Sequence, residues 1–174
     1  MEIYNLIRKS NFIYYISDFA GFIRRDLLMG WFNYVGLCVV ILILIPNIVF
    51  AIKVKDGFSN SGVSKRLAIA EQIGRFGSFF FMIFNIPYTY FNFFFNGAFA
   101  VYFGVLTVLC ALYITFWIIC RNKFFKFRAY ALSIIPSIMF IFGGIMLLNI
   151  PLLAFSLIFA PSHIAISVKN VKNQ

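Results

Sequence analysis

Acidic residues are almost missing from this chain: its 174 residues include five Asp and Glu in all. Charge of either sign is scarce, at 11% of residues where soluble domains carry roughly 25%, and 63% of the chain is hydrophobic. That poverty excludes a water-soluble fold. Paired carboxylates, a nucleophile elbow, a glycine-rich phosphate loop and a metal-binding repeat are also missing. No catalytic set, cofactor or metal site is therefore expected. The three cysteines, Cys38, Cys110 and Cys120, lie inside apolar runs without the spacing of a zinc or redox motif, so they read as buried thiols. One histidine, His163, cannot hold a metal alone. No clean apolar run of roughly 7–15 residues with a small-residue cleavage site follows Lys9, because Asp18 interrupts it. The first true span would then direct insertion itself.

What the chain does have is long apolar runs. A membrane span needs about 20 predominantly apolar residues, and five such runs take up nearly everything after residue 30: about Trp31–Ile52, Phe76–Phe95, Phe99–Cys120, Ala129–Leu148 and Pro151–Val168. The expected fold is an all-α bundle of five transmembrane helices over residues 31–168, with a short cytoplasmic tail at 169–174. Asp56-Gly57 and Ser59–Gly62 make a turn-rich loop, and Ser64 can cap the helix after it. Asn96-Gly97 reads as a turn, and only Asn149-Ile150 separates the last two runs, which predicts a tight helical hairpin.

Fifteen Lys and Arg give the chain a net charge of +10. In a soluble protein this would suggest nucleic acid; here basic residues at span ends set orientation, and no nucleic-acid partner is expected. The five-span reading puts eleven basic residues on one side and four on the other. It predicts an N-terminus outside and a cytoplasmic C-terminus. In residues 1–30, Phe12, Ile16, Phe19, Ile23 and Leu27 share one helical stripe opposite Asn11, Ser17, Asp18, Arg24 and Arg25, the pattern of an interfacial amphipathic helix. The rival is a sixth span, which improves the basic count to thirteen against two but places Asp18 near mid-bilayer.

Pro46, Pro87, Pro136, Pro151 and Pro161 all lie in or beside apolar runs, three of them followed directly by Asn or Ser and Pro87 two residues after Asn85. Each one inside a helix frees a carbonyl that needs a new partner in hydrocarbon. A bent helix repaired by its polar neighbour is the plain reading; unwound backbone lining a polar site is the functional one. Glu71 and Arg75 stand four apart and can pair, and Gly74 and Gly77 beside them would let another helix come close. The candidate ligand-binding residues are Glu71, Arg75, Asn47, Asn85 and His163, a site only if they share one cavity. Ala129, Ser133, Ser137 and Gly144 give the fourth run a small-residue face, and Ala100 and Gly104 do so for the third.

The segments Leu44–Asn47, Glu71–Gly77, Phe84–Pro87, Ile135–Ser137 and Ala160–His163 are similar to a group of uncharacterised small polytopic membrane proteins of low-GC Gram-positive bacteria. The likeness covers about residues 34–169, implies a membrane location and carries no assigned activity. Size, small-residue faces and a kinked aromatic interior favour a non-enzymatic accessory or ligand-binding subunit of a transport system. An immunity protein against a membrane-active toxin and a small lipid-modifying enzyme are the alternatives. The partners expected are the lipid bilayer, a second copy or another membrane protein, and a small-molecule or lipid ligand.

Overall fold

The computed structural model describes residues 30–53, 63–89, 95, 97–119 and 125–172. The N-terminal amphipathic segment lies outside the described residues. Among those described, the fold is all-α with five helices: α1 (Tyr34–Lys53), α2 (Lys65–Ile83), α3 (Ala98–Ile119), α4 (Phe125–Met146) and α5 (Ile150–Lys172). Three stretches are long and apolar enough to cross a membrane: Ala98–Ile119, Ala129–Met146 and Ile150–Val171. The apolar part of α1, Tyr34–Val49, is shorter, and α2 carries Lys65, Arg66, Glu71 and Arg75.

The helices form a closed ring. α2 packs on α5, α5 on α4, α4 on α3, α3 on α1 and α1 back on α2. The tightest seam is α2 on α5, and glycine makes it so. A Cβ on Gly74 would lie 2.6 Å from the backbone nitrogen of Phe159, and one on Gly77 would collide with the Phe155 ring. The approach that Gly74 and Gly77 offered in the sequence is thus used within the chain. Gly36 meets the Met82 carbonyl in the same way, and Gly144 meets the Leu153 backbone. Ala100 and Gly104 are exposed, and nothing comes within 4 Å of a Cβ built on Gly104. Their small-residue face therefore packs on no helix among the described residues.

Polarity runs inside out. Ile69, Ile73, Phe76 and Phe80 form the outer stripe of α2, while Glu71, Gly74, Ser78 and Met82 face inward. The buried polar set includes Asn33, Asn85, Asn149 and five serines, whereas the outer surface of α1 shows Ile41, Leu42, Ile45 and Ile48. Water would favour the opposite arrangement.

Prolines 46, 136 and 161 sit inside helices, and in each case the carbonyl three residues earlier finds a hydroxyl. Tyr113 donates to the Ile43 carbonyl at 3.3 Å, Ser137 to Ser133 at 2.8 Å and Ser162 to Ile158 at 2.6 Å. The carbonyl that each ring deprives of its N–H is one residue earlier still, at Leu42, Leu132 and Leu157. Pro151 lies in the first turn of α5, where its missing N–H costs nothing. Pro87 lies outside any helix, since α2 stops at Ile83 rather than continuing towards Phe95 as the apolar run suggested. The chain turns extended at Phe84 because residues 31–33 lie across the helix end: Asn33 N–H donates to the Ile83 carbonyl at 2.7 Å and Asn85 N–H to Trp31 at 2.8 Å. Ser64 caps α2, accepting from Leu67 N–H at 3.3 Å, and the hairpin between α4 and α5 closes over Leu147–Asn149 with Leu148 at φ 47°.

The glycine seam gives a direct test. Gly74→Ala and Gly36→Ala are expected to lower stability by about 1–3 kcal/mol through overpacking, and Gly104→Ala to be neutral or stabilising, in thermal unfolding of the detergent-purified protein.

Candidate functional site

Two polar centres stand at different depths. The first lies where α1, α3 and α5 begin and α2 and α4 end. Asn33 caps α1, its Oδ1 accepting from Gly36 N–H at 2.9 Å while Nδ2 donates to the Tyr102 hydroxyl at 3.2 Å. Asn149 caps α5 in the same manner, accepting from Leu152 N–H at 3.0 Å and donating to the Phe81 carbonyl at 3.2 Å. Asn85 donates to the Gly30 carbonyl at 3.1 Å. Each asparagine is at most 1% exposed, and each ties a chain reversal to a neighbouring element. The Asn-Ile-Pro triplets at 85–87 and 149–151 thus meet at one end of the bundle, linked by the Ile150 N–H to Thr89 carbonyl bond of 3.1 Å.

The second centre is built on α2 and α5. Antiparallel packing brings Glu71 opposite His163, one turn beyond the Gly74–Phe159 contact. Glu71 is 3% exposed. Its Oε1 accepts from Arg75 Nε at 2.9 Å and from Arg75 Nη2, and His163 Nδ1 lies 3.0 Å from the same oxygen. A carboxylate oxygen held by a guanidinium only accepts, so Nδ1 is the donor and carries hydrogen. The Phe159 ring stacks on the imidazole with centroids 4.6 Å apart, which fixes its plane.

Arg75 and His163 also line a cavity of about 40 Å³, together with Asn47 of α1 and apolar side chains that include Phe79, Pro136 and Phe140. Asn47 interacts with the Tyr113 hydroxyl on α3. Four of the five candidate residues therefore converge: Asn47, Arg75 and His163 on the cavity and Glu71 behind two of them. Asn85 does not join them; it belongs to the capped end. His163 lies thirteen residues into α5 and Asn47 thirteen into α1, so both stand about 20 Å from the asparagine end at 1.5 Å per residue. Glu71 stands about 9 Å along α2 from its start.

Among the described residues no group of His, Cys, Asp and Glu could hold a metal. A water needs about 10–15 Å³ of such space, so the cavity admits two or three water-sized bodies and no organic ligand. A larger apolar groove of about 490 Å³ opens on the outer surface between α1 and α3, lined by Val35, Cys38, Leu42, Leu106 and Ala111 among others. Sequence reasoning found the Glu71–Arg75 pair by its spacing but missed Tyr102, Tyr113, Asn33 and Asn149. Asn149 stands just before an apolar run and Asn33 near the start of one, the position of a helix cap, and that signal could have found them.

No protein-family model matches the chain, and neither does any curated protein or solved structure.

Removing one member of the ionic cluster strands the others. Glu71→Gln leaves Arg75 without its counter-charge and is expected to cost about 3 kcal/mol or more, while Glu71→Gln/Arg75→Gln recovers most of that loss; denaturation of the three proteins in one detergent checks the order.

Proposed function

We propose that the chain is a five-span protein of a bacterial cytoplasmic membrane, a non-enzymatic ligand-binding or accessory subunit of a transport system, with its binding site at the bundle centre. The observation that carries this reading is the convergence of Asn47, Arg75 and His163 from three helices on one central cavity, with Glu71 bonded behind two of them. Ionisable groups inside a membrane bundle are costly and commonly mark a binding or conduction site. α2 counts as a span on its outer stripe of Ile69, Ile73, Phe76 and Phe80, and because it lies alongside apolar α5 from the Glu71–His163 contact to the Phe81–Asn149 one. α1, with 20 residues, is about 30 Å long and matches the hydrocarbon thickness.

The orientation rests on charge. The loops at the asparagine end, residues 84–97 and 147–149, contain no charged residue, whereas the chain entering and leaving the other end carries Lys53, Lys55, Lys65, Arg66, Arg121, Lys123, Lys126, Arg128, Lys169 and Lys172. That basic end faces the cytoplasm. The outer groove and the unused Ala100–Gly104 face support an accessory role, since small residues let a further helix approach. The same convergence of Glu71, Arg75 and His163 would serve a lipid-modifying enzyme, but no Ser, Cys or Thr lines the central cavity and its volume holds no headgroup.

Topology mapping tests the reading. A cytoplasm-active reporter fused after Gln174 is expected to function and a periplasm-active one to stay silent, while an accessible cysteine at Tyr88 is labelled from outside the cell. Labelling of that cysteine only from the cytoplasm refutes the orientation.

A further inference from the structure

The outward face of α3 carries three lines of residues side by side. Next to α1 lies the groove of about 490 Å³, with Val35, Cys38 and Leu42 of α1 on one wall and Phe103 and Ile114 of α3 on the other. Beside the groove, Ala100, Gly104, Thr107, Ala111 and Thr115 are all exposed and share about 80° of arc at 100° per residue, a flat strip along the helix. Beyond the strip, Val101, Val108, Leu112 and Ile119 stand on one line and are exposed, forming a ridge. The Thr107 hydroxyl already donates to the Phe103 carbonyl at 2.8 Å, so another helix can approach the strip without taking away its partner.

Such a face is complementary to itself. Copies in one membrane share an orientation, so a two-fold axis relating two of them runs along the membrane normal and leaves every residue at its own depth. With that axis beside the strip, half a turn sets what lies to the right of one strip opposite what lies to the left of the other. The ridge of each copy then faces the groove of its partner. Depth agrees: the α3 side of the groove extends from Phe103 to Thr115, and Val108 and Leu112 stand within that stretch. Charge does not oppose the contact, since neither α3 nor the groove contains a charged residue. Area suffices as well. α3 is about 33 Å long, and a strip roughly 15–20 Å wide, its outer face with the rim of α1, covers about 500–650 Å² per copy. The total of about 1,000–1,300 Å² reaches the size of a specific interface. A lipid chain would fill the groove and leave the ridge without a counterpart.

We infer that the chain forms a two-fold symmetric dimer through α3, the Val108–Leu112 ridge of each copy seated in the α1–α3 groove of the other. This rests on the membrane reading above and names a second copy as the partner of its accessory surface. Without a hydrophobic drive between helices in lipid, packing of ridge in groove across the flat strip supplies the association.

The test uses the full chain in phosphatidylethanolamine–phosphatidylglycerol liposomes, with donor- and acceptor-labelled copies mixed over a range of protein-to-lipid ratios. Wild type is expected to give saturable, reversible energy transfer, and stepwise photobleaching to count pairs. Ala111→Phe closes the strip and groove, and Val108→Ala/Leu112→Ala removes the ridge. Each is expected to weaken association at least about tenfold. All three positions are exposed within one copy, so both variants keep their helical circular dichroism. In a variant whose native cysteines are replaced, Ala111→Cys on the strip is expected to cross-link into dimers in the membrane, whereas Ile73→Cys on the outer stripe of α2 is not. A wild type that stays monomeric at every ratio, assemblies larger than pairs, association unchanged in both variants, or equal cross-linking at Ile73 overturns the inference. The topology experiment is unaffected by these outcomes, so failure here is distinguishable from failure of the membrane reading.

Discussion

A polar group buried in hydrocarbon has no water to fall back on, and that constraint organises this molecule. Beside each proline inside a helix a hydroxyl bonds the carbonyl three residues earlier: Tyr113 at Pro46, Ser137 at Pro136 and Ser162 at Pro161. Each helix start at the uncharged end would leave free N–H groups, and Asn33 and Asn149 each accept one there. The same asparagines reach sideways to Tyr102 and to the Phe81 carbonyl, so a local capping bond also fixes how helices meet. Glu71 obeys the rule in its strictest form, since a charged side chain needs both a counter-ion and donors, and Arg75 and His163 provide them.

Close packing and this polar economy depend on each other. Glu71 reaches His163 because Gly74 and Gly77 allow α2 and α5 to touch along their backbones. A larger side chain at either position would push the helices apart and open the carboxylate to an environment without donors. The cluster in turn resists sliding of the two helices, because it fixes register about one third of the way along α2 and just past the middle of α5 while Asn149 and Phe81 fix it at the far end. Between these ties the interior is aromatic and sulfur-rich: Phe140 packs edge to face with Phe159 and at a tilt against Phe79 around the inner cavity, with Met82 and Met139 fully buried.

Helix class and most boundaries were legible in the sequence because apolar length is a strong signal; α1, α3, α4 and α5 each start within about four residues of the apolar runs that predict them. The end of α2 was not. The run of phenylalanines from Phe76 to Phe95 is as apolar beyond Ile83 as before it, and what stops the helix is residues 31–33 crossing its end, a contact some fifty residues away in the chain. The Glu71–Arg75 pair could be read from spacing, whereas the histidine that completes it is 92 positions distant and needed the fold. Asn85 resembled a site residue by composition, yet composition does not distinguish an asparagine that caps from one that lines a cavity.

The five-span proposal requires that α2, in spite of Lys65, Arg66, Glu71 and Arg75, lies within the bilayer with its polar face turned inward. A nitroxide spin label at Ile73, which is 53% exposed on the outer face midway between Glu71 and Arg75, reports the medium directly in nanodiscs of a variant whose native cysteines are replaced. High collision accessibility to oxygen together with low accessibility to a water-soluble nickel chelate is the predicted result. The reverse, a label reached by the chelate and shielded from oxygen, would mean that α2 lies in water and would contradict the account.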